Sequence, residues 1–147
     1  MTDTEHHDLH RPLGLNLLAG LYLFFFLLSA STFGNPFPFL GKIHLGTPAK
    51  ALVFLDSLVC LYLFLGIMKR QATTWYLLLG YNAVEILNII VNLSLITREE
   101  LEKNLGFRVD PDSVTVNNIA AALAILLLSQ FIYRHRDYFT NREKYLF

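Results

Sequence analysis

Four long apolar blocks dominate this 147-residue chain and constrain its fold more than any other feature. Residues 12–41 and 113–133 contain no charged side chain, and residues 51–68 and 71–97 contain one each. Every block holds about 20 predominantly apolar residues, enough for a helix to cross a hydrocarbon layer of ~30 Å. Only 16% of the residues are charged, against about a quarter in a soluble domain. The chain is therefore expected to lie in a membrane.

The blocks predict an all-α integral membrane protein, a four-helix bundle that forms a single transmembrane domain of residues 1–147. We expect the spans at 13–31, 48–68, 73–96 and 114–133, with tails of residues 1–12 and 134–147. Four spans place both termini on one side of the membrane, and that side carries seven of the 12 basic residues, close to the helix ends. The positive-inside rule then predicts that both termini are cytoplasmic. The predicted location is a cytoplasmic (inner) membrane, crossed several times.

Local signals predict how the second span begins and ends. The preceding segment, residues 32–46, is short and rich in phenylalanine, proline and glycine, so we expect it to fold back at the membrane surface. Thr47 and Pro48 suit the N-cap and the first position of the helix, because proline lacks the amide donor that this position leaves unused. The turn 69–72 is tight and predicts that the second and third helices are neighbours.

The segments that flank the fourth span carry signals of their own. Thr97 and Glu100 form a capping box, and Gly106 is a suitable stop, so a short surface helix is expected over Arg98–Leu105. The tail 134–147 alternates basic residues with aromatic residues and leucine. This pattern favours a segment that lies along an anionic membrane surface.

Two carboxylates, Asp56 and Glu85, lie in the middle of the second and third spans, and no base accompanies them within residues 51–68 or 71–97. Each is about fourteen residues, on the order of 20 Å of helix, from the centre of the turn 69–72, so a helical hairpin places them at one depth. A carboxylate in hydrocarbon is costly and points to function or to enforced pairing. Two charged carboxylates would also repel each other. We therefore expect at least one to be protonated, or a cation to lie between them.

Two helix faces carry the remaining candidate site residues. On the third span, four polar residues fall within an arc of about 60° and form a polar seam roughly 16 Å long: Tyr81, Glu85, Asn88 and Asn92. On the fourth span, small side chains would let the helix approach a neighbour closely; these are Ala120, Ala121 and Ala124.

Three interpretations of the polar seam and its acids stay open. The acids and asparagines could hydrogen-bond across helices and hold their register, at about 0.6 kcal/mol per contact. They could instead form a proton or cation pathway, with exchange at Asp56 and Glu85 and with Asn88 and Asn92 as neutral ligands. Third, the polar seam could bind a polar group on a partner helix.

The sequence predicts no catalytic, metal or cofactor site, and hence no enzyme. No histidine lies within a span, so a haem or chlorin held by intramembrane histidine finds no ligand. His6, His7 and His10 have spacing that can bind a metal, but a terminal tail rarely presets such a site. The sequence contains no Ser–His–Asp set, glycine-rich phosphate loop or CxxC pair. Formal net charge is zero, which argues against a nucleic-acid partner.

Four short elements mark the boundaries of the spans. They are Arg11-Pro12-Leu13-Gly14, Gly66-Ile67-Met68-Lys69-Arg70, Trp75-Tyr76-Leu77 and Tyr133-Arg134-His135-Arg136-Asp137-Tyr138-Phe139. In these elements the chain resembles the small, uncharacterised four-helix integral membrane proteins that are common in prokaryotes. The resemblance implies the topology and a prokaryotic origin. Such families have no assigned activity, so it gives no role to Asp56 or Glu85.

Small size, minimal soluble portions and aromatic-rich helix ends favour a non-enzymatic accessory or scaffold subunit that packs against other integral membrane proteins. The expected partners are the lipid bilayer and either foreign membrane subunits or further copies of this chain. The alternative is a small proton- or cation-conducting membrane protein, expected to be oligomeric, that uses Asp56 and Glu85.

Overall fold

The computed structural model describes residues 11–143, and helices account for 76% of them. The α-helices of this range are α1 Leu13–Ser31, α2 Gly46–Met68, α3 Ala72–Leu95, α4 Arg98–Leu105 and α5 Pro111–Arg134. Four of them, all but α4, are long and apolar enough to cross a membrane, as the sequence predicted. The ends of the predicted tails, residues 1–10 and 144–147, lie outside the described range, and with them the histidines His6, His7 and His10.

Local capping chemistry produces α4 as predicted. The hydroxyl of Thr97 accepts a hydrogen bond from the Glu100 amide at 3.3 Å, and the Glu100 carboxylate accepts one from the Thr97 amide. Gly106 ends the helix in the left-handed conformation. Asp110 then caps α5 by accepting from the amide of Ser113 at 3.2 Å. Each cap satisfies an amide that has no partner inside its own helix.

The predicted start of the second helix is wrong by two residues. Helix α2 begins at Gly46, its N-cap is Leu45, and no side chain caps it. The preceding strand ends at His44, so the chain enters the helix before it reaches Thr47. Pro48 still lies in the first turn, where the missing amide donor costs nothing.

A β-hairpin in the segment 32–46 is the main departure from an all-α fold. Strands β1 (Phe37–Phe39) and β2 (Lys42–His44) pair antiparallel, with Phe39 opposite Lys42. The two turn residues, Leu40 and Gly41, both have positive φ, 48° and 80°. Such a two-residue turn matches the right-handed twist of the strands, as type I′ turns do.

Helix packing pairs α1 with α2, and α3 with α5. Helices α2 and α3 touch near their turn, where a Cβ added to Gly66 would overlap the side chain of Thr74, and again at Tyr81. The tight turn thus makes them neighbours, as predicted, but it does not make them the main pair. The buried core joins all four long helices: Leu15, Leu18, Ala19, Tyr22, Leu63, Ile67, Trp75, Leu78, Ile132 and Phe139.

The segment after α5 folds back onto the α2–α3 turn, and the expectation that it lies along the membrane surface stays a prediction. The Asn141 amide donates to the Arg70 carbonyl at 2.9 Å, and the Ala72 amide donates to the Asn141 carbonyl at 2.7 Å. Phe139 is only 6% exposed. Docking removes the apolar Phe139 ring from water, and the two backbone hydrogen bonds pair polar groups that the contact would otherwise bury unpaired.

Two ends of the bundle can now be distinguished. The terminal end holds Arg11, the turn 69–71 and residues 134–143. There the guanidinium of Arg11 donates to the last carbonyls of α2, Ile67 and Met68, at 3.2 and 3.1 Å. The loop end holds the hairpin and α4.

Candidate functional site: an acidic cavity

Asp56 is held between two neighbouring helices by hydroxyl groups. One carboxylate oxygen accepts a hydrogen bond from Ser29 Oγ of α1 at 2.6 Å. The other accepts one from the Tyr81 hydroxyl of α3 at 2.8 Å. Because Asp56 lies near the middle of α2, its carboxylate ties three helices together inside the apolar part of the bundle.

Further polar groups extend this network. Ser57 Oγ lies 3.1 Å from Ser29 Oγ and 2.8 Å from the Val53 carbonyl, which accepts from it. Cys60 Sγ lies 3.3 Å from the Tyr81 hydroxyl. Cys60 and Asp56 share a face of α2 at a spacing of four residues, as the sequence indicates.

Glu85 lines the same cavity as Asp56 but lacks, among the described residues, the hydroxyl partners that Asp56 has. Both carboxylates line a cavity of about 220 Å³, whose walls include Phe25, Phe37 and Ile125. Glu85 is partly buried, and its carboxylate accepts no hydrogen bond from any residue in the range 11–143. The two acids therefore meet at one cavity, but of the two only Asp56 forms interhelical hydrogen bonds within the described range.

The cavity is closed towards the terminal end. Its floor includes Asn82, which is 2% exposed and accepts a hydrogen bond from the Tyr22 hydroxyl at 2.7 Å. Beyond these residues come apolar core side chains with almost no exposed surface, among them Leu63 and Leu78. A single chain thus presents a pocket in its loop-end half, and a packed core separates that pocket from the terminal end.

Asn88 and Asn92 of the polar seam anchor the hairpin. Asn88 Oδ1 accepts the Leu40 amide at 2.8 Å, and Asn92 Oδ1 accepts the Gly41 amide at 2.7 Å. Asn92 Nδ2 also donates to the Pro38 carbonyl at 3.3 Å. The seam therefore divides into Tyr81 and Glu85 at the cavity and two asparagines at the hairpin turn.

The small residues of the fourth span lie on the surface of α5. Ala120, Ala121 and Ala124 are all exposed, and no helix in the described part of the chain covers them. A helix that packs closely against these alanines must therefore come from outside residues 11–143.

Sequence reasoning missed several polar residues of the site. Ser29, Ser57 and Tyr22 belong to residue types that occur singly in many apolar helices, so their types alone carried no signal. Asn82 could have been found as an amide inside an apolar span. Asn82 is rotated about 100° around the helix from Tyr81 of the polar seam, so an analysis of one helix face does not include it.

The chemistry of the cavity is that of oxygen donors. Two carboxylates, a phenol and a serine hydroxyl favour hard cations or a shared proton over soft metals. Within residues 11–143 no three His, Cys, Asp or Glu side chains come together as a metal cluster. Comparison of the chain with protein-family models, curated proteins and solved structures finds no match.

Proposed function

We propose that this chain is a non-enzymatic accessory or scaffold subunit that packs against other integral membrane proteins through α5. The observation that carries the proposal is the exposure of this helix. Only 6% of its most apolar window is buried inside the chain, against 33% for α2. One side of α5 packs on α3, and the rest of its surface is available to lipid or to protein.

The uncovered face of α5 has the composition of a helix–helix contact. Ala120, Ala121 and Ala124 permit close approach of a second backbone. Asn117 falls on the same face, is exposed, and its side-chain amide makes no hydrogen bond within residues 11–143. An amide in hydrocarbon gains by meeting a polar group on a neighbouring helix, which lipid tails cannot supply.

Site-specific photo-crosslinking in the native membrane tests this proposal. A photoreactive residue at Ala121 is expected to give one adduct of defined mass, and native mass spectrometry of the gently extracted protein should give a complex of fixed stoichiometry. The matched control is the same residue at Leu17, which is 65% exposed on α1. A lone monomer, or equal labelling at both positions, would refute the proposal. An adduct of twice the chain mass would also refute it, because the partner would then be a second copy of this chain.

The orientation and the location belong to the same proposal. We place both termini in the cytoplasm of a prokaryotic cell and the spans in its inner membrane. Six of the 11 basic residues in the described range lie at the terminal end, close to the helix ends, and this modest bias supports the orientation by the positive-inside rule: Arg11, Lys69, Arg70, Arg134, Arg136 and Arg142. A reporter protein that is active only in the cytoplasm, fused to the C-terminus, is expected to be active. An inactive reporter of normal abundance would reverse the orientation.

A second candidate function is proton or cation conduction in an oligomer, favoured by the convergence of Asp56 and Glu85 on one cavity. Because the core closes the cavity within one chain, a complete pathway requires a second chain. Flux through reconstituted vesicles is expected to fall in Asp56→Asn and Glu85→Gln but not in Glu99→Gln, an exposed acid of α4. Unchanged flux in both cavity variants, with the fold intact, would remove this candidate.

A further inference from the structure

The docked segment after α5 builds a cleft at the terminal end of the bundle. The cleft has a volume of about 450 Å³, and its lining includes Arg136, Arg142 and Thr140 together with Ala72 at the start of α3. Asn141 ties this segment to the α2–α3 turn through the two backbone hydrogen bonds described above. The two arginines are therefore carried by an ordered backbone.

Arg136 is positioned by two aromatic residues of α3. Its Cζ lies 4.8 Å from the centre of the Trp75 ring and 5.5 Å from that of Tyr76. Its Nη2 donates to the Tyr76 hydroxyl at 2.7 Å. Aromatic stacking and this bond fix the plane of the guanidinium, and further N–H groups are left to donate to a ligand.

The surroundings of the cleft have an excess of positive charge. Six basic side chains of the described range lie at the terminal end against two acidic ones, Asp137 and Glu143. Asp137 lines the cleft itself, but neither it nor Glu143 forms an ion pair with an arginine within residues 11–143. Burial, and then the nearby charge of Arg70, lower the pKa of Arg11 from its ordinary value. An anion at this end would relieve that repulsion.

We propose that this cleft binds the phosphate group of an anionic membrane lipid. Two arginines and a threonine hydroxyl supply the donors that phosphate recognition uses, and arginine can present two parallel N–H groups to phosphate oxygens. Trp75 and Tyr76 lie in the first turns of a long apolar helix, where aromatic side chains mark the headgroup level. The cleft thus lies where lipid phosphates lie. The inference is independent of the accessory role, which concerns α5.

Native mass spectrometry of the full-length protein in mild detergent tests the inference. The probes are phosphatidylglycerol and phosphatidylcholine with identical acyl chains. We expect phosphatidylglycerol to bind more tightly than phosphatidylcholine. Arg142→Gln should weaken the affinity for phosphatidylglycerol about fivefold, which is the effect of one basic residue at an anionic surface. Arg108→Gln is the matched control, because Arg108 is an exposed arginine at the loop end. Arg136→Gln should weaken phosphatidylglycerol binding more than Arg142→Gln does. If Arg136→Gln does not fold, Arg142→Gln alone tests the inference.

Three results would overturn the inference. They are equal binding of the two lipids, equal loss in Arg142→Gln and Arg108→Gln, and retention of phosphatidylglycerol by well-folded Arg142→Gln. Inorganic phosphate, titrated without lipid, separates the two sources of the anion. Binding as tight as that of the lipid would make the free anion the ligand and would refute the lipid assignment. No measurable phosphate binding, with phosphatidylglycerol still bound, would support it.

Discussion

The Tyr22 hydroxyl of α1 donates a hydrogen bond of 2.7 Å to Asn82 Oδ1 of α3, and both side chains are almost completely buried. Asn82 Nδ2 in turn donates to Ser129 Oγ of α5 at 3.1 Å. One amide therefore joins three of the four long helices at the floor of the acidic cavity. A polar group in this position has no water to replace a lost partner.

Asn82→Ala is expected to lower the free energy of unfolding by about 1.5 kcal/mol, because it leaves the buried Tyr22 hydroxyl unpaired. Asn16→Ala, the same change at an exposed position of α1, should have almost no effect. Unfolding by a denaturing detergent, followed by circular dichroism, measures both. Equal stabilities of the two variants would show that the Tyr22–Asn82 bond contributes nothing.

Asn92→Ala should loosen the hairpin and leave the spans intact. The variant removes the acceptor of the Gly41 amide, so hydrogen exchange at Gly41 is expected to accelerate about fivefold, the equivalent of ~1 kcal/mol. Ser94→Ala is the control, since among residues 11–143 the Ser94 hydroxyl bonds only to the Ile90 carbonyl of its own helix. Unchanged exchange at Gly41 in Asn92→Ala would mean that the turn holds its shape without α3.

The two acids of the cavity should respond differently to truncation. Glu85→Gln and Glu85→Ala are expected to have stabilities within about 0.5 kcal/mol of each other, because Glu85 loses no hydrogen bond within the described range. Asp56→Ala should be less stable than Asp56→Asn by about 1 kcal/mol, since the amide still accepts from one of the two hydroxyl donors. Detergent unfolding of the four variants measures this contrast. A large difference between the two Glu85 variants would reveal a hydrogen bond to Glu85.

Gly66→Ala is expected to destabilise the chain by about 2 kcal/mol, because the added methyl group overlaps the buried Thr74 side chain. Gly80→Ala is the matched control, since nothing lies within 4 Å of its added Cβ and alanine favours a helix by up to about 1 kcal/mol. The double variant Gly66→Ala/Thr74→Ala should recover part of the loss. If both single variants raise the melting temperature alike, the α2–α3 contact is looser than described.

The stability of the loop after α4 should depend on pH through the carboxylate of Glu102. A hydrogen bond from the Val109 amide, and then one from Arg98, hold the pKa of Glu102 below its ordinary value. The stabilisation is therefore fully present above the ordinary glutamate pKa and is lost as the pH falls through the lowered value. The Val109 amide resonance should shift with that titration, and Glu102→Gln should abolish the shift. A titration at the ordinary glutamate pKa would contradict the contact.

Features that depend on a few consecutive residues could be predicted from the sequence. The capping box of Thr97 and Glu100 and the cap of α5 at Asp110 use donors and acceptors three residues apart. The predicted start of α2 was wrong because the Thr47-Pro48 signal follows a strand that ends at His44, and the turn of that hairpin is bonded by Asn88 and Asn92. The turn residues Leu40 and Gly41 are 48 and 51 residues from the asparagines that bind them, so no local pattern contains these contacts.

Hydrophobicity along the chain by itself determined four helices of membrane-spanning length and the mid-span position of two acids. The reason is that a backbone buried in an apolar environment must pair its own polar groups, and a helix does so without any partner segment. Only the tertiary structure decided which polar groups meet. It paired Asp56 with Ser29 and Tyr81, left Glu85 at the cavity wall and gave Asn88 to the hairpin. Those contacts depend on the rotation of each helix about its axis, which is set by side-chain packing between helices.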